Sequence, residues 1–457
     1  MSKVRDFILG KFQLFNRLVL DRYLNNTTKI LLIKSMIIWF AAFVTGVVAV
    51  MYARLFQFFE TGGSWWFSKK PMLAFVVIPS LFLFASWLVR SFAPGAKGSG
   101  IPQLMAALDL ANAQERKLTK YLLSARIIVI KIVSSLVMIF SGAASGREGP
   151  TLQISGSIFK IINDRIPLHW PRVSERIMYM TGGAAGLSAA FNTPLGGIVY
   201  VVEELSKIHI AKFRNYVFTG VIIAGITAQW LEGSYLYLGY PKVASVGGIR
   251  FFAIALLVAF CSGTLAGLSM VVIRMVGKIK ESFKARKLEW LFVFILGLLV
   301  AAMAVFYSSQ GLGSGKEQIT SLLFEVEKQA SFDLVVTRFF APIFAFSSGA
   351  ATGIFAPSLA TGAAIGGYIA QFFSLPEASF NLIVLVGMTS FLSGLTRTPF
   401  TSAILVLEMT DRHSAIFFLM LAGLIGYLGA YAIRREGLYD EQKRDLLHKI
   451  RKLNKAV

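Results

Sequence analysis

Charge is scarce in this sequence, and cysteine is almost absent. Charged residues fill 15% of the 457 positions, against roughly 25% in a soluble domain. A water-soluble chain of two or three domains with polar surfaces is thereby excluded. The single cysteine, Cys261, lies in an apolar run, so no disulfide can form within the chain. Of the four histidines, His169, His209, His413 and His448, none shows paired metal-ligand spacing. No metal site and no cofactor are expected. The N-terminus lacks a compact charged-then-apolar signal with a small-residue cleavage site.

What is abundant points to lipid. Hydrophobic residues make up 55%, with 39 Phe and 40 Gly, and the mean hydropathy is +0.65. Apolar runs recur at 36–53, 72–89, 127–144, 251–273, 291–306 and 414–433. A membrane-crossing helix needs about 20 such residues. Several runs are shorter or broken by glycine, which predicts tilted or incomplete spans. The formal charge of +22 could suggest a nucleic-acid partner. Its distribution argues otherwise. Lys3, Arg5, Lys11, Arg17 and Arg22 cluster at one end, and Arg434, Arg435, Lys443, Arg444, Lys449, Arg451, Lys452 and Lys455 at the other. Positive flanks stay cytoplasmic, so both termini are expected inside, with an even number of net crossings. Residues 4–24 read as an amphipathic helix lying at the inner interface.

The chain carries its own pattern twice. Residues 187–203 align with 392–408 at an offset of 205, sharing Leu-Ser, Thr-Pro, one Val and the closing Glu. Residues 145–152 align with 352–359 at an offset of 207, sharing Gly, Pro and Leu, while Arg147-Glu148 stands against Ile354-Phe355. The alignment alone leaves open whether the halves run parallel or inverted. Many transporters are two inverted halves with the substrate site at mid-membrane, where short Gly/Pro-interrupted segments meet.

Three such segments stand in apolar surroundings: GSGIP at 98–102, GREGP at 146–150 and GIFAP at 353–357. In each, glycine precedes a proline suited to the first turn of a helix. The first N–H groups of a helix have no internal acceptor and carry partial positive charge. Several such ends converging make an anion site without a full charge in lipid. Moderate affinity suits conduction, which needs entry and exit. Taken singly, each segment could be an ordinary turn between spans.

In this order and spacing the three segments resemble the signature segments of the CLC family of chloride channels and transporters. The resemblance extends to 191–205, 393–411 and the pair Leu438-Tyr439, covering about residues 30–440. It implies a role for each matching residue. The hydroxyls of Ser99 and Tyr439 would donate to a central chloride, completed by the backbone N–H groups of Ile354 and Phe355. The N–H groups around Arg147 and Gly149 would help form an outer site. Glu148 resembles the gating glutamate, whose carboxylate occupies an anion site and swings out when protonated. A carboxylate at a helix N-terminus mimics a halide, and an ionisable group within the membrane is by default functional. A simple capping role is the alternative. Lys131 matches a buried lysine that makes the pore more positive, whereas Arg126 reads as snorkelling.

Glu204 bears on whether the protein is an antiporter or a channel. It follows Glu203 at the end of the run 195–202. In the family's antiporters the second residue of such a pair resembles an inner proton-transfer site, with Glu203 a possible helper. In many of its channels that position is apolar. The alternative is a Glu that merely ends a helix. Glu408, the repeat mate of Glu203, is followed by Met409 and reads as structural. Gln103 and Met105 depart from the acidic residues found here in well-known bacterial antiporters, which removes two carboxylates near the inner pathway. Ser99 argues against fluoride, whose carriers have asparagine in this segment.

The expected fold is all-α and integral to the membrane, with two inverted repeats of tilted and re-entrant helices, assembled as a homodimer. Residues 1–28 would form the interfacial helix, 29–213 the first repeat, 214–433 the second, and 434–457 a cytoplasmic segment carrying Tyr439. Only 18 residues follow Tyr439, too few for paired nucleotide-sensing domains, which suggests a prokaryotic inner membrane. The expected partners are chloride and similar anions, protons, lipid and a second copy, with no nucleic acid. The expected function is chloride/proton exchange, with a passive chloride channel as the alternative. An intramembrane enzyme using Glu148 or Glu204 lacks a convincing nucleophile or metal partner, so no enzymatic activity is expected.

Overall fold

The computed structural model describes residues 25–167, 170–205, 214–233, 236–244 and 247–455. The amphipathic helix expected over residues 4–24 lies outside them. Seventeen α-helices are described. They are α1 (Asn26–Lys69), α2 (Ala74–Phe92), α3 (Ile101–Asp109), α4 (Ala125–Phe140), α5 (Glu148–Asp164), α6 (Glu175–Phe191), α7 (Pro194–Tyr200), α8 (Arg214–Glu232), α9 (Gly248–Ser282), α10 (Arg286–Phe306), α11 (Lys316–Phe324), α12 (Phe332–Ser347), α13 (Phe355–Ala370), α14 (Glu377–Thr396), α15 (Pro399–Thr410), α16 (Ile416–Ile433) and α17 (Leu438–Lys455). Among the described residues, seven stretches are long and apolar enough to cross a membrane. They include all six apolar runs seen in the sequence, plus the helix Glu377–Thr396, whose apolar window is 94% buried within the protein.

Helices α1–α8 are followed, in the same order, by α9–α16. Local stereochemistry repeats with the sequence. Ser124 caps α4 by accepting from Ile127 N–H, and Ser331, 207 residues later, caps α12 by accepting from Leu334 N–H. Both α6 and α14 end on a left-handed residue, Asn192 (φ 56°) and Arg397 (φ 66°), 205 apart. The caps that follow, Thr193 and Thr398, share φ/ψ of −124°/82° and −123°/77°. The halves are inverted. Gly146 and Gly353, repeat mates, form an antiparallel bridge, each N–H donating to the other's carbonyl at 2.8 and 3.0 Å. A residue pairing antiparallel with its own copy is what a two-fold axis between them requires.

The same axis relates two carboxylates. Glu203 accepts from Phe400 N–H (3.1 Å) and Thr401 N–H (2.7 Å) at the start of α15. Glu408 accepts from Leu195 N–H (3.0 Å) and Gly196 N–H (2.6 Å) at the start of α7. Each half thus caps the other's short helix, where the unpaired N–H groups and the dipole favour an anion.

Element lengths follow from position. Helix α1 has 44 residues and its mate α9 has 35. At about 1.5 Å per residue they run roughly 66 and 52 Å, well past a hydrocarbon core of about 30 Å, so both must tilt. By contrast α3 and α11 have nine residues each, too few to cross. Helices α5 and α13 are buried on nearly every side, so they form the interior and not the lipid-facing wall. Small residues permit this. A Cβ on Gly362 would stand 2.3 Å from the carbonyl oxygen of Gly387, and a Cβ on Gly387 equally close to that of Gly362. The α13–α14 contact therefore needs glycine on both sides, as close helix packing in membranes commonly does.

Helix α17 has no counterpart in the repeat. On its first turn, Glu441 accepts from Arg434 and pairs with Arg274 of α9. Farther along, Lys443 pairs with Asp109 at the end of α3 (3.4 Å), and Arg451 donates to Glu115 (2.7 and 3.0 Å). The helix that carries Tyr439 is thus bound to the helix that begins beside Ser99.

Candidate functional site

The three Gly/Pro segments, far apart in sequence, are hydrogen-bonded into one structure. Gly98 N–H donates to Ala350 O (2.9 Å), and Thr352 N–H donates to Gly98 O (3.2 Å). One residue farther along, Gly353 pairs with Gly146. The turn at 98–100 is possible because both glycines take positive φ, 66° at Gly98 and 103° at Gly100, where a side chain is strained. The amino group of Lys131, fully buried, donates to Ala96 O (2.9 Å) and Gly98 O (2.7 Å) and so fixes the strand that leads into Ser99.

Four helix starts meet here. Ser99 precedes α3, Glu148 opens α5, Ile354 and Phe355 open α13, and Tyr439 sits on the first turn of α17. A Cβ on Gly149 would fall 2.2 Å from Ser99 Oγ, so the serine hydroxyl lies against the first turn of α5. The rings of Tyr439 and Phe355 stack at 6.5 Å with 7° between planes. The hydroxyls of Ser99 and Tyr439 are neighbours, both are buried, and neither makes a hydrogen bond of normal geometry within the chain. Buried hydroxyls without partners are costly. Two of them together, beside the N-terminus of α13, form a donor set suited to a small anion.

Glu148 occupies the next position along. Its carboxylate lies against Gly146, where an added Cβ would stand 2.3 Å from Oε2 and 3.2 Å from both Ala356 Cβ and Pro357 Cδ, so it sits where α5 and α13 both begin. Oε2 has no partner. A cavity of about 440 Å³ opens onto it, lined by Glu60, Arg147, Ser314 and Lys316 among others.

Helix α7 continues into a π-helical turn, Val201–Leu205, where its mate α15 stays α-helical to Thr410. Such turns are often found at functional sites. This one carries Glu203 and Glu204. Glu204 is buried and acts electrostatically on the phenols of Tyr200 and Tyr439. Glu203, expected as a possible helper, has both carboxylate oxygens engaged as the cap on α15, the same position that Glu408 holds on α7.

The model of the family described as voltage gated chloride channel matches residues 81–431. The chain belongs to that family. Among its curated relatives, the H(+)/Cl(-) exchange transporter ClcA of Citrobacter koseri is 30% identical over 390 residues, covering 80% of this chain and 77% of the relative. ClcA of Salmonella typhi is 29% identical over the same length. In structure the chain is similar to a slow cyanobacterial Cl-/H+ antiporter (TM-score 0.77, 21% identity, 91% of this chain and 98% of that one). It also resembles a CLC-type fluoride/proton antiporter (0.75, 17%, 92% and 99%) and a eukaryotic CLC transporter (0.72, 18%, 91% and 75%). At these identities the structures speak for the fold, which is that of the family.

Sequence reasoning missed three members of the site. Arg338 is the repeat mate of Lys131, 207 residues on. It is buried and donates to Gln310 O, Leu312 O (2.9 Å) and Gly313 O (3.1 Å). The block Gly313-Ser314-Gly315 with Gln318 repeats Gly98-Ser99-Gly100 with Gln103 at an offset of 215. That shift of eight from the other blocks hides it from a fixed-offset comparison. Tyr200 packs edge-on against Phe355 (6.4 Å, 81°), and its buried hydroxyl has no partner. A phenol four residues before Glu204 was the available signal.

Proposed function

We propose that this protein exchanges chloride for protons across a bacterial inner membrane, as a homodimer with one anion pathway per subunit and both termini in the cytoplasm. The observation that carries this reading is the carboxylate of Glu148, on the first residue of α5, seated against Gly146 beside Ala356 and Pro357 of the first turn of α13. Ionised, it holds the place of an anion. Protonated, it loses its attraction for the amides and yields to chloride. Anion occupancy and protonation are thereby linked, since like charges exclude each other at one site.

Chloride is received by the hydroxyls of Ser99 and Tyr439 with the N–H groups of Ile354 and Phe355, and then by the amides around Arg147 and Gly149. Lys131 supports the site by fixing the Ser99 turn. Protons pass between Glu204, at the inner side, and Glu148, in the direction opposite to chloride. The kinship to the H(+)/Cl(-) exchange transporters ClcA supports exchange over a passive channel, and Ser99 supports chloride over fluoride.

The test is a flux assay with the purified full-length protein in liposomes. An outward chloride gradient should drive proton uptake against no other force. Chloride flux without proton movement would make the protein a channel. Glu204→Gln should keep chloride flux and stop proton transport, and unchanged proton transport would remove Glu204 from the mechanism.

A further inference from the structure

Tyr200 stands where the fold calls for an apolar side chain. Its repeat mate, 205 residues on, is Leu405, which is fully buried in the corresponding helix. Tyr200 is buried to the same degree, and its hydroxyl has no hydrogen-bond partner. An unsatisfied buried hydroxyl is costly where leucine would pack without penalty. Packing therefore accounts for the ring but not for the oxygen.

The oxygen has a defined setting. Four residues separate Tyr200 from Glu204, which brings the two to neighbouring places on one helix face. The π turn at Val201–Leu205 lies between them. The Glu204 carboxylate acts electrostatically on Tyr200, and so does the phenol of Tyr439. The Tyr200 ring meets Phe355 edge-on, and Phe355 stacks on Tyr439. Tyr439 in turn lies beside Ser99 and within electrostatic reach of Glu148. Around the Phe355 ring, the hydroxyls of Tyr200, Tyr439 and Ser99 are the groups that can accept one proton while donating another.

We infer that Tyr200 is a proton-relay residue, passing protons between Glu204 and the site shared by Tyr439, Ser99 and Glu148. This rests on the exchange reading above. In the step, the O–H bond of protonated Glu204 breaks as the Tyr200 oxygen takes its proton. The original phenolic proton leaves toward the Tyr439 hydroxyl, which in the same step passes its own proton on toward Ser99 and the Glu148 carboxylate, where the new O–H bond forms. Rotation about the C–O bond then resets the phenol. One proton leaves Glu204, one arrives beyond Tyr200, and no electrons are exchanged. The phenol stays neutral overall, so no charged intermediate is stranded on Tyr200.

The test is Tyr200→Phe, which removes the oxygen and keeps the ring. Proton and chloride fluxes are measured together in liposomes, with chloride affinity and the unfolding temperature of the detergent-solubilised protein measured beside them. Proton flux should fall about a hundredfold, the low end for a positioned proton-transfer group. Chloride flux should fall less, so that the proton-to-chloride ratio drops, while the unfolding temperature holds or rises. Tyr200→Leu, which installs the repeat mate's side chain, should reproduce the loss of coupling. A ratio within about twofold of the parent in both variants overturns the relay. So does a fall in chloride affinity with the ratio intact, which would make Tyr200 an anion ligand. If the parent protein itself moves no protons, the exchange reading fails and takes the relay with it. Exchange in the parent with unaltered variants sinks the relay alone.

Discussion

At residues 98–100 and 313–315 the chain makes the same turn twice, with φ of 66° and 103° at the first pair of glycines and 69° and 91° at the second. Behind each turn a buried cation holds backbone carbonyls, Lys131 at the first and Arg338 at the second. In front, the two diverge. The Ser99 hydroxyl is without a partner and faces Tyr439 and the first turn of α5. At Ser314 the backbone N–H donates to the carboxylate of Glu60 at 2.6 Å. The duplicated scaffold supplies two electropositive helix starts. One is closed by a side chain of the protein itself, and the other presents hydroxyls suited to a mobile anion. Duplication explains the scaffold, and the residues placed over it decide its use.

The largest expected effect tests the same divergence one helix farther on, where Glu148 faces its mate Phe355. Glu148→Ala should abolish proton coupling altogether and leave chloride flux, read by parallel flux assays. Retained coupling would show that the carboxylate between α5 and α13 is not the proton acceptor. Next come the two cations. Arg338→Met strips three carbonyls of their donor and should cost about 3 kcal/mol or more, seen as a lower unfolding temperature in detergent. Lys131→Met strips two and should cost about 2 kcal/mol. Only Lys131→Met should also weaken halide binding, because only its turn presents a free hydroxyl. Ser99→Ala removes one donor to a charged ligand, worth about 1.5–3 kcal/mol, so halide affinity by calorimetry should fall roughly tenfold or more. Ser314→Ala should change it by less than about twofold, since Glu60 is held by the backbone and not by the serine hydroxyl. Equal losses from the two serines would erase the distinction between the turns.

Much of this was legible in the sequence, for identifiable reasons. Helix starts marked by Gly and Pro are written locally, so all three segments and the residues on them could be placed without coordinates. The repeat gave the two-half plan, because Thr-Pro and the closing Glu recur in register. Orientation was not legible. It is fixed by the pairing of Gly146 with Gly353, a contact between residues 207 apart. The same limit hid Arg338, which reads as an ordinary basic residue until its carbonyl partners fold around it. Glu203 illustrates the reverse case. Its place beside Glu204 suggested a possible helper, and its capping partners, Phe400 and Thr401, were not legible because they lie on the other half of the chain.

Helix α17 is the one described helix outside the duplication, and it brings Tyr439 to a single face of the site. A transporter made only of two matched halves would present the same resistance to traffic in either direction. The added helix breaks that equivalence. Under the exchange reading it adds to the asymmetry already set by Glu148 against Phe355, and loading from one compartment would differ kinetically from loading from the other.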